Sequence, residues 1–211
     1  SGYERAEVLV EAKQSAGNVA GYVVQLASDC AEHLRGPDEV EAHLDVEIAR
    51  CDAWVNAGQK LTNDSANLAQ NLRVRREMTE LVRRFQDTKR REALMDYGDL
   101  LRFAAQIAME VPSAGAAERE KYKVVLLDEF QDTSYAQLAL FSSLYGAAGS
   151  GDGIGHAVTA VGDPNQSIYG FRGASAGQLF DFPHSFPAVD PQTGNRRPAD
   201  LLQLTVAWRN G

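Results

Sequence analysis

The chain contains the segment Lys123-Val124-Val125-Leu126-Leu127-Asp128-Glu129, in which four apolar residues precede two acids. A short apolar run of this kind is typical of a strand buried on both faces of a parallel sheet. A second such run, residues 157–161, follows a helical segment at residues 134–145 and a glycine-rich loop. The order strand, helix, strand predicts a parallel α/β sheet, for which residues 201–206 are a candidate third strand.

The N-terminal part of the chain has helical periodicity. Apolar residues recur at three- and four-residue spacing over residues 3–34, where Gly17 and Gly21 are the expected interruptions. After a Gly-Pro stop signal, Asp38 is expected to cap a second helix that runs towards Val55. We therefore expect a helical segment interrupted near these glycines, and then a further helix, before residue 58.

The longest helix candidate covers residues 66–93 and follows a turn-like stretch. Another helix begins near Met95, and the small polar residues 113–120 are expected to form a connector ahead of the first strand. The predicted fold class is α/β, with a mostly helical block at residues 1–94 and a parallel-sheet block at residues 95–211.

The composition fits a globular, cytoplasmic protein. The 211 residues are 44% hydrophobic, and no apolar run approaches the roughly 20 residues of a membrane helix. Cys30 and Cys51 are too few for a disulfide framework, and with His33 and His43 they match no standard zinc spacing. The net charge of −8, taken alone, counts against nucleic acid as a partner.

Polar side chains follow both predicted strands. Asp128 and Glu129 end the first strand, and the loop at residues 162–166 ends the second. Ligands bind at this edge of parallel sheets, so we expect these groups to face one crevice. In phosphoryl transfer, one such carboxylate holds Mg²⁺ and the other deprotonates the attacking water. Acids after strands are also common helix caps, and the pair alone leaves both interpretations open.

Longer motifs favour the first interpretation. The segment Leu127-Asp128-Glu129-Phe130-Gln131-Asp132-Thr133 resembles motif II of the UvrD/Rep-type superfamily 1 DNA helicases. The segment Val161-Gly162-Asp163-Pro164-Asn165-Gln166-Ser167-Ile168-Tyr169-Gly170-Phe171-Arg172-Gly173-Ala174 resembles their motif III, in the family's order and spacing.

Two further segments resemble the same family. Met95-Asp96-Tyr97-Gly98-Asp99-Leu100 is similar to the helix that precedes motif II, and Thr205-Val206-Ala207-Trp208-Arg209-Asn210 resembles motif IV more loosely. The resemblance covers residues 95–211, and residues 1–94 fit the family's helical insertion by position only.

The resemblance implies a RecA-like motor domain that uses ATP and Mg²⁺. By position, Asp128 would coordinate Mg²⁺, Glu129 would be the catalytic base and Gln166 would sense the γ-phosphate. Arg209 would be an arginine finger that stabilises charge on the transferring phosphoryl group, and Trp208 would stack on adenine.

The resemblance also implies a surface for single-stranded DNA. Tyr169 and Phe171 would stack on bases, each stack being worth about 1–3 kcal/mol, and Arg172 would hold this platform. Gln131 and Asp132 would link the ATP site to the DNA site. Ordinary core packing is the alternative for Tyr169 and Phe171.

Residues 73–91 carry a positive charge that the acidic total conceals. Eight basic and three acidic side chains give this stretch a net charge of +5. It is either a solvated helix face with i, i+4 ion pairs or a phosphate-tracking surface, in which Arg83 and Arg84 contact DNA. The acidic total therefore does not exclude DNA as a partner.

The sequence lacks the phosphate-binding loop G-x-x-x-x-G-K-[ST] that an ATPase of this kind needs. We therefore expect an inactive fragment of a longer bacterial helicase, which works with the remaining motor domains of its parent chain. The parent would unwind duplex junctions in the 3′–5′ direction, in DNA repair or recombination. The alternatives are the helicase part of a helicase–nuclease, a non-catalytic DNA-binding or assembly protein, and a free-standing nucleotide-binding switch.

Overall fold

The computed structural model describes residues 16–58, 62–168 and 177–204. Within them the chain is mostly helical, with a small parallel sheet. It forms two compact units, Ser1–Leu100 and Leu101–Gly211. No helix in the described part is long and apolar enough to span a bilayer.

The first unit contains three long helices: α1 (Ala16–Glu32), α2 (Pro37–Asn56) and α3 (Asn63–Arg91). The prediction that Gly17 and Gly21 interrupt α1 is wrong, because the helix runs through both glycines. Val23 and Ala27 of α1 form a buried cluster with Val82 of α3. Apolar residues at helical spacing on α1 and α3 thus build the core of this unit.

The starts of α2 and α3 differ from the prediction. Glu39, rather than Asp38, completes the first turn of α2, because its Oε2 accepts the N–H of Gly36 at 2.8 Å. At α3, Thr62 Oγ1 accepts the N–H of Ser65 at 3.2 Å. This cap extends the helix through residues 63–65, which the sequence predicts as a turn.

Several ion pairs link α2 to α3. Leu44 is the buried residue of α2. Arg76 contacts Asp45 at 2.8 Å and Glu41 at 3.0 Å. We call Arg73, Arg76 and Arg83, with their carboxylate partners on α2, the arginine ladder; its further pairs are Arg73–Asp52, Arg83–Asp38 and Arg83–Glu41. These pairs join two helices, which neither interpretation of the sequence includes. Pairs within α3, which one of the two interpretations expects, also occur, as between Arg84 and Glu80.

A half-buried lysine joins the end of α3 to the start of α4 (Tyr97–Glu110). Lys89 Nζ lies 2.6 Å from Asp96 Oδ2 and 2.6 Å from Asp99 Oδ2. The two aspartates also cap each other, since Asp99 N donates to Asp96 Oδ1 at 2.9 Å and Asp96 N donates to Asp99 Oδ2 at 3.2 Å. In this structure the segment that resembles the helix before motif II fixes a corner between two helices.

The second unit has short helices and strands: α5 (Pro112–Lys121), β1 (Val124–Leu127), α6 (Tyr135–Tyr145), β2 (Ala157–Ala160), α7 (Gly177–Ser185), β3 (Ala188–Val189) and β4 (Arg196–Arg197). The prediction of a connector at residues 113–120 is wrong, because these residues belong to α5. Pro112 is the first residue of this helix, a position where proline is well tolerated. Ser134 caps α6 and forms a capping box with Gln137.

β1 and β2 pair in parallel, as predicted, with Val124 opposite Ala157 and Leu127 opposite Ala160. One face of this sheet packs on a buried cluster that includes Phe130, Tyr145 and Phe186. The other face is open, since the side chains of Val124 and Leu126 are 63% and 75% exposed. The prediction of a strand buried on both faces is therefore wrong within the described part of the chain.

The predicted third strand is not found where the structure describes it. Residues 201–204 have no strand structure, and residues 205–206 lie outside the described residues. Instead, β3 and β4 form a separate antiparallel pair, with Ala188 opposite Arg197 and Val189 opposite Arg196.

Candidate functional site

Backbone hydrogen bonds hold the ends of β1 and β2 together beyond the strands themselves. Val161 N donates to Leu127 O at 2.8 Å, and Phe130 N donates to Val161 O at 2.9 Å. Asp128 and Glu129 therefore lie directly beside the loop that follows β2. The arrangement places the polar residues of both strand ends along one edge of the sheet.

Glu129 has an unusual backbone. Its φ of 52° and ψ of 40° lie in the left-handed region, which non-glycine residues enter at a cost. Leu34 and Ala93 share a positive φ, but both follow the C-terminal end of a helix, where this conformation is common. Glu129 instead joins a strand to the 3₁₀ helix Phe130–Asp132, and strained residues of this kind cluster at functional sites.

Gln131 connects the two strand ends. Its side chain is 1% exposed. The carboxamide donates through Nε2 to Glu129 Oε2 at 2.7 Å and accepts through Oε1 from the N–H of Asp163 at 3.0 Å. The backbone N–H of Asp163 can only donate, so it fixes which end of the amide faces Glu129. Ser167 Oγ adds a bond of 3.3 Å to the carbonyl of Gln131.

Gly162 makes room for this bridge. A Cβ at this position would lie 2.6 Å from Gln131 Oε1 and 3.2 Å from Gln131 N. Any side chain at residue 162 would therefore have to displace a buried carboxamide. The sequence includes this glycine in a motif but gives no sign of its steric role.

The loop after β2 is organised by Asp163. Its Oδ1 accepts the N–H of Asn165 at 2.9 Å, and its Oδ2 accepts from Gln166 Nε2 at 2.8 Å. The hydrogen bond from Gln166, followed by that from Asn165, lowers the pKa of Asp163. Asp163 was not predicted as a site residue, although Asp-Pro-Asn is a recognisable turn signal. In this structure the amide of Gln166 is engaged by its own loop.

Asp132 carries a buried carboxylate oxygen. Its Oδ1 makes no hydrogen bond to any described residue. Leaving a buried carboxylate oxygen without a hydrogen bond is costly, because the group loses its contacts with water. Asp132 lies at the end of the 3₁₀ helix that starts with Phe130, next to Gln131.

The strand-end carboxylates suit Mg²⁺ only together with other ligands. Asp128 and Glu129 are exposed hard oxygen donors, and Asp128 Oδ1 already accepts the N–H of Glu129 at 2.9 Å. Among residues 16–58, 62–168 and 177–204, no group of three or more His, Cys, Asp or Glu could hold a metal ion. Phosphate oxygens and water, which Mg²⁺ commonly keeps as ligands, would have to complete the coordination.

Cys30 is also a poor metal ligand. Burial, assisted by the charges of Asp29 and Glu39, raises the pKa of its thiol to about 11. A metal ligand must be the thiolate, which this environment disfavours.

Several predicted site residues lie outside the described residues: Tyr169, Phe171, Arg172, Trp208 and Arg209. Their roles stay predictions. The two predicted arginine contacts on α3 differ in their surroundings. Arg83 contacts three carboxylates, those of Asp38, Glu41 and Glu80, whereas Arg84 contacts Glu80 at 3.1 Å and remains largely exposed.

Comparison with known proteins identifies the family of the chain. Residues 13–187 match the model of the UvrD/REP helicase N-terminal domain. Over 152 residues the chain is 34% identical to an ATP-dependent helicase/nuclease subunit of Lactococcus lactis subsp. lactis; the match covers 72% of this chain and 11% of that protein.

Two further relatives are helicases by name. The chain is 34% identical over 128 residues to the ATP-dependent DNA helicase UvrD1 of Mycobacterium tuberculosis, covering 60% of this chain and 16% of that protein. It is 35% identical over 106 residues to DNA helicase II of Escherichia coli, and this match covers 50% of this chain and 14% of that protein. The chain thus spans between 11% and 16% of the length of these three relatives. The match confirms the resemblance found in the motifs: the chain belongs to the UvrD/REP helicase N-terminal domain family.

Proposed function

We propose that the chain is part of an ATP-dependent DNA helicase of the bacterial cytoplasm. The parent protein translocates along single-stranded DNA and unwinds duplex junctions in the 3′–5′ direction, in DNA repair or recombination. The observation that carries the proposal is the strained backbone of Glu129. The side chain of Gln131 links the carboxylate of this residue to the loop after β2. Family membership and the names of the relatives support it.

The proposal assigns a place to each part of the chain. Residues 95–211 form the C-terminal part of the first RecA-like motor domain, and residues 1–94 form a helical insertion subdomain. The parallel pair of β1 and β2 with α6 between them is the pattern that a RecA-like sheet requires. The phosphate-binding loop and the second motor domain belong to other parts of the parent chain.

On the nucleotide side, Asp128 would hold Mg²⁺, which would supply positive charge against the phosphates of ATP. Glu129 accepts the proton of the attacking water. Gln131 donates a hydrogen bond to Oε2 of Glu129. The other carboxylate oxygen of Glu129, Oε1, makes no hydrogen bond to the described residues, and we assign it to the attacking water. Gln166 senses the γ-phosphate, for which its amide has to leave Asp163.

Outside the described residues, we assign Trp208 to the adenine and Arg209 to the transferring phosphoryl group. Tyr169 and Phe171 stack on the bases of a single strand, and Arg172 holds that platform. These assignments rest on the motifs alone.

Gln131 and Asp132 couple the ATP site to the DNA site. The two ends of one buried carboxamide contact Glu129 and the backbone of Asp163, so a shift of the loop after β2 displaces the catalytic base. Asp132 Oδ1, which makes no hydrogen bond to the described residues, offers a further acceptor on the residue next to Gln131.

The test is the ATPase activity of the complete polypeptide, with and without single-stranded DNA. We expect hydrolysis that single-stranded DNA stimulates, and unwinding of duplexes with a 3′ single-stranded tail but not a 5′ tail. Unwinding of 5′-tailed duplexes alone would overturn the polarity. Absence of DNA-stimulated hydrolysis in the complete polypeptide would overturn the proposal and favour a non-catalytic DNA-binding or assembly protein.

A second candidate is the helicase part of a helicase–nuclease. The similarity over 152 residues to a protein whose name includes both helicase and nuclease favours it. Degradation of end-labelled duplex DNA by the complete polypeptide tests this candidate. Unwinding without strand degradation would rule out the helicase–nuclease and favour a helicase that has no nuclease activity.

A further inference from the structure

A chain of hydrogen bonds joins the side chain of Gln166 to that of Glu129. Gln166 Nε2 donates to Asp163 Oδ2 at 2.8 Å, and the N–H of Asp163 donates to Gln131 Oε1 at 3.0 Å. Gln131 Nε2 then donates to Glu129 Oε2 at 2.7 Å. Asp163 contributes both its side chain and its backbone, so it connects the residue assigned to the γ-phosphate with the residue assigned as the catalytic base.

The two carboxylate oxygens of Asp163 have different partners. Oδ1 accepts the N–H of Asn165 at 2.9 Å and so caps the 3₁₀ helix Pro164–Gln166. Oδ2 is not needed for this cap and accepts the hydrogen bond from Gln166 instead. A carboxylate can only accept, so the end of the carboxamide that faces Asp163 is its NH₂ group.

The side chain of Gln166 can leave Asp163 without unfolding of the turn. The backbone N–H of Gln166 donates to the carbonyl of Asp163 at 2.9 Å. This bond and the cap on Asn165 remain when the side chain moves. Because Gln166 is exposed, the hydrogen bond to Oδ2 sets where its carboxamide lies.

The γ-phosphate of ATP and the carboxylate of Asp163 are both anionic acceptors for the NH₂ group of Gln166. A phosphate that approached this group in its present position would come next to the carboxylate, and the two negative charges would repel each other. The phosphate can therefore bind the carboxamide only after it has left Asp163. ADP has no γ-phosphate, so its binding does not require this movement.

We propose that Asp163 is a positioning residue that holds Gln166 away from the nucleotide, so that the γ-phosphate competes with Oδ2 for the carboxamide. This inference rests on the proposed function, in which Gln166 senses the γ-phosphate. The competition lowers the affinity for ATP and leaves the affinity for ADP unaffected. The backbone N–H of Asp163 keeps its bond to Gln131, so the loop stays beside Glu129 while the side chain of Gln166 moves.

The first measurement tests the bond in this 211-residue chain. The hydrogen bond from Gln166, followed by that from Asn165, lowers the pKa of Asp163. In a pH titration followed by NMR of ¹³C-labelled carboxyl groups, Gln166→Ala should raise this pKa towards its ordinary value. Gln192→Ala, which removes another exposed carboxamide, should leave the pKa of Asp163 unchanged. The same pKa of Asp163 in wild type and Gln166→Ala would overturn the inference.

The second measurement tests the competition in the complete polypeptide. The test variant is Asp163→Ser, which keeps an oxygen for the cap and removes the acceptor of Gln166. We expect the affinity for a fluorescent, non-hydrolysable ATP analogue to rise about two- to tenfold, the range that one hydrogen bond is worth. The affinity for the matching ADP analogue should stay within about twofold of wild type. The control is Asp190→Ser, which should change neither affinity, since Asp190 Oδ1 likewise accepts the N–H groups of Gln192 and Thr193 at 2.7 Å and 3.0 Å.

A double variant separates the bond from the charge of Asp163. Loss of a negative charge near the nucleotide would by itself raise the affinity for ATP and ADP alike, with or without the side chain of Gln166. Loss of the bond acts only through Gln166. We therefore expect Asp163→Ser to leave the ATP affinity within about twofold when it is introduced into Gln166→Ala.

An unchanged ATP affinity in Asp163→Ser, or equal increases for ATP and ADP, would overturn the inference. So would an increase that persists in the Gln166→Ala background. If circular dichroism melting shows that Asp163→Ser is unfolded, Asp163→Asn replaces it, because asparagine also caps the turn and has no second carboxylate oxygen.

The DNA-stimulated ATPase of the complete polypeptide separates the two proposals. If that activity is present while the ATP affinity does not depend on Asp163, the role of Asp163 is refuted and the proposed function stands. If the complete polypeptide neither binds nor hydrolyses ATP, both proposals are refuted.

Discussion

The side-chain amide of Gln131 donates a hydrogen bond of 2.7 Å to the carboxylate of Glu129, two residues earlier in the chain. The other end of the same amide accepts the N–H of Asp163, 32 residues later. One buried side chain therefore sets the position of a strained acid at the end of β1 relative to the loop after β2. If Glu129 is the catalytic base, Gln131 is its positioning residue.

Replacement of Gln131 by Ala should lower both stability and turnover. It leaves the N–H of Asp163 without its buried acceptor, which costs about 1–3 kcal/mol. In the complete polypeptide we expect kcat for ATP to fall by up to about 10²-fold, because a misplaced catalytic group loses its alignment. KM for ATP should change much less. Gln106→Ala is the control, since this exposed amide bonds only to Glu110 among the described residues; equal effects of both variants would contradict the positioning role.

Replacement of Gly162 by Ala tests the space around the same amide. The new Cβ would lie 2.6 Å from Gln131 Oε1, so we expect a loss of about 1–3 kcal/mol in the free energy of unfolding, measured with urea. Gly21 is the control, because nothing lies within 4 Å of a Cβ built there. Gly21→Ala should stabilise α1 by about 0.5–1 kcal/mol. A Gly162→Ala variant that behaves like Gly21→Ala would show that the bridge is not closely packed.

Local patterns in the sequence predict much of this fold. The apolar runs locate β1 and β2, and their order predicts the parallel pairing. The helical periodicity of residues 66–93 locates α3 to within a few residues. The predictions that failed depend on single side chains or on distant contacts. Thr62 extends α3 by three residues, and Pro112 starts a helix among small residues that lack an apolar stripe.

The candidate site was predictable in position but not in detail. The ends of parallel strands meet at one edge, so the proximity of Asp128 and the loop at residues 162–166 follows from topology. The contacts of Gln131 join segments more than 30 residues apart, and no local pattern contains them. Similarly, the sequence shows the charge of α3, but only the position of α2 shows which arginines are already paired.

The corner formed by Lys89, Asp96 and Asp99 should make the stability of the first unit depend on pH. Burial alone would raise the pKa of Asp96, but its hydrogen bonds with Lys89 and Asp99 N lower it below 3.8. A lowered carboxyl pKa contributes stability that is complete above about pH 4 and is lost as the pH falls through the folded-state value. Burial alone would lower the pKa of Lys89, yet both aspartates raise it above 10.5.

Thermal unfolding between pH 2.5 and 11 measures this dependence. The lysine contribution is complete below about pH 10 and is lost as the pH rises through the raised pKa. Asp96→Asn should reduce the loss of stability at acid pH by roughly 1 kcal/mol or less, because the carboxylate is 57% exposed. Asp181→Asn, at an exposed position in the second unit, should leave the profile unchanged. If Asp96→Asn lost stability at acid pH to the same extent as wild type, the corner would not contribute to the pH dependence of stability there.

The assignment of Glu129 as the catalytic base is tested most directly by Glu129→Gln in the complete polypeptide. The substitution keeps the shape of the side chain and removes only its ability to accept the proton of water. The measurement is the rate of phosphate release with saturating single-stranded DNA, together with the dissociation constant of a fluorescent ATP analogue. We predict a rate at least about 10²-fold lower with nucleotide affinity within about twofold of wild type. A Glu129→Gln enzyme that hydrolyses ATP at the wild-type rate would contradict the account.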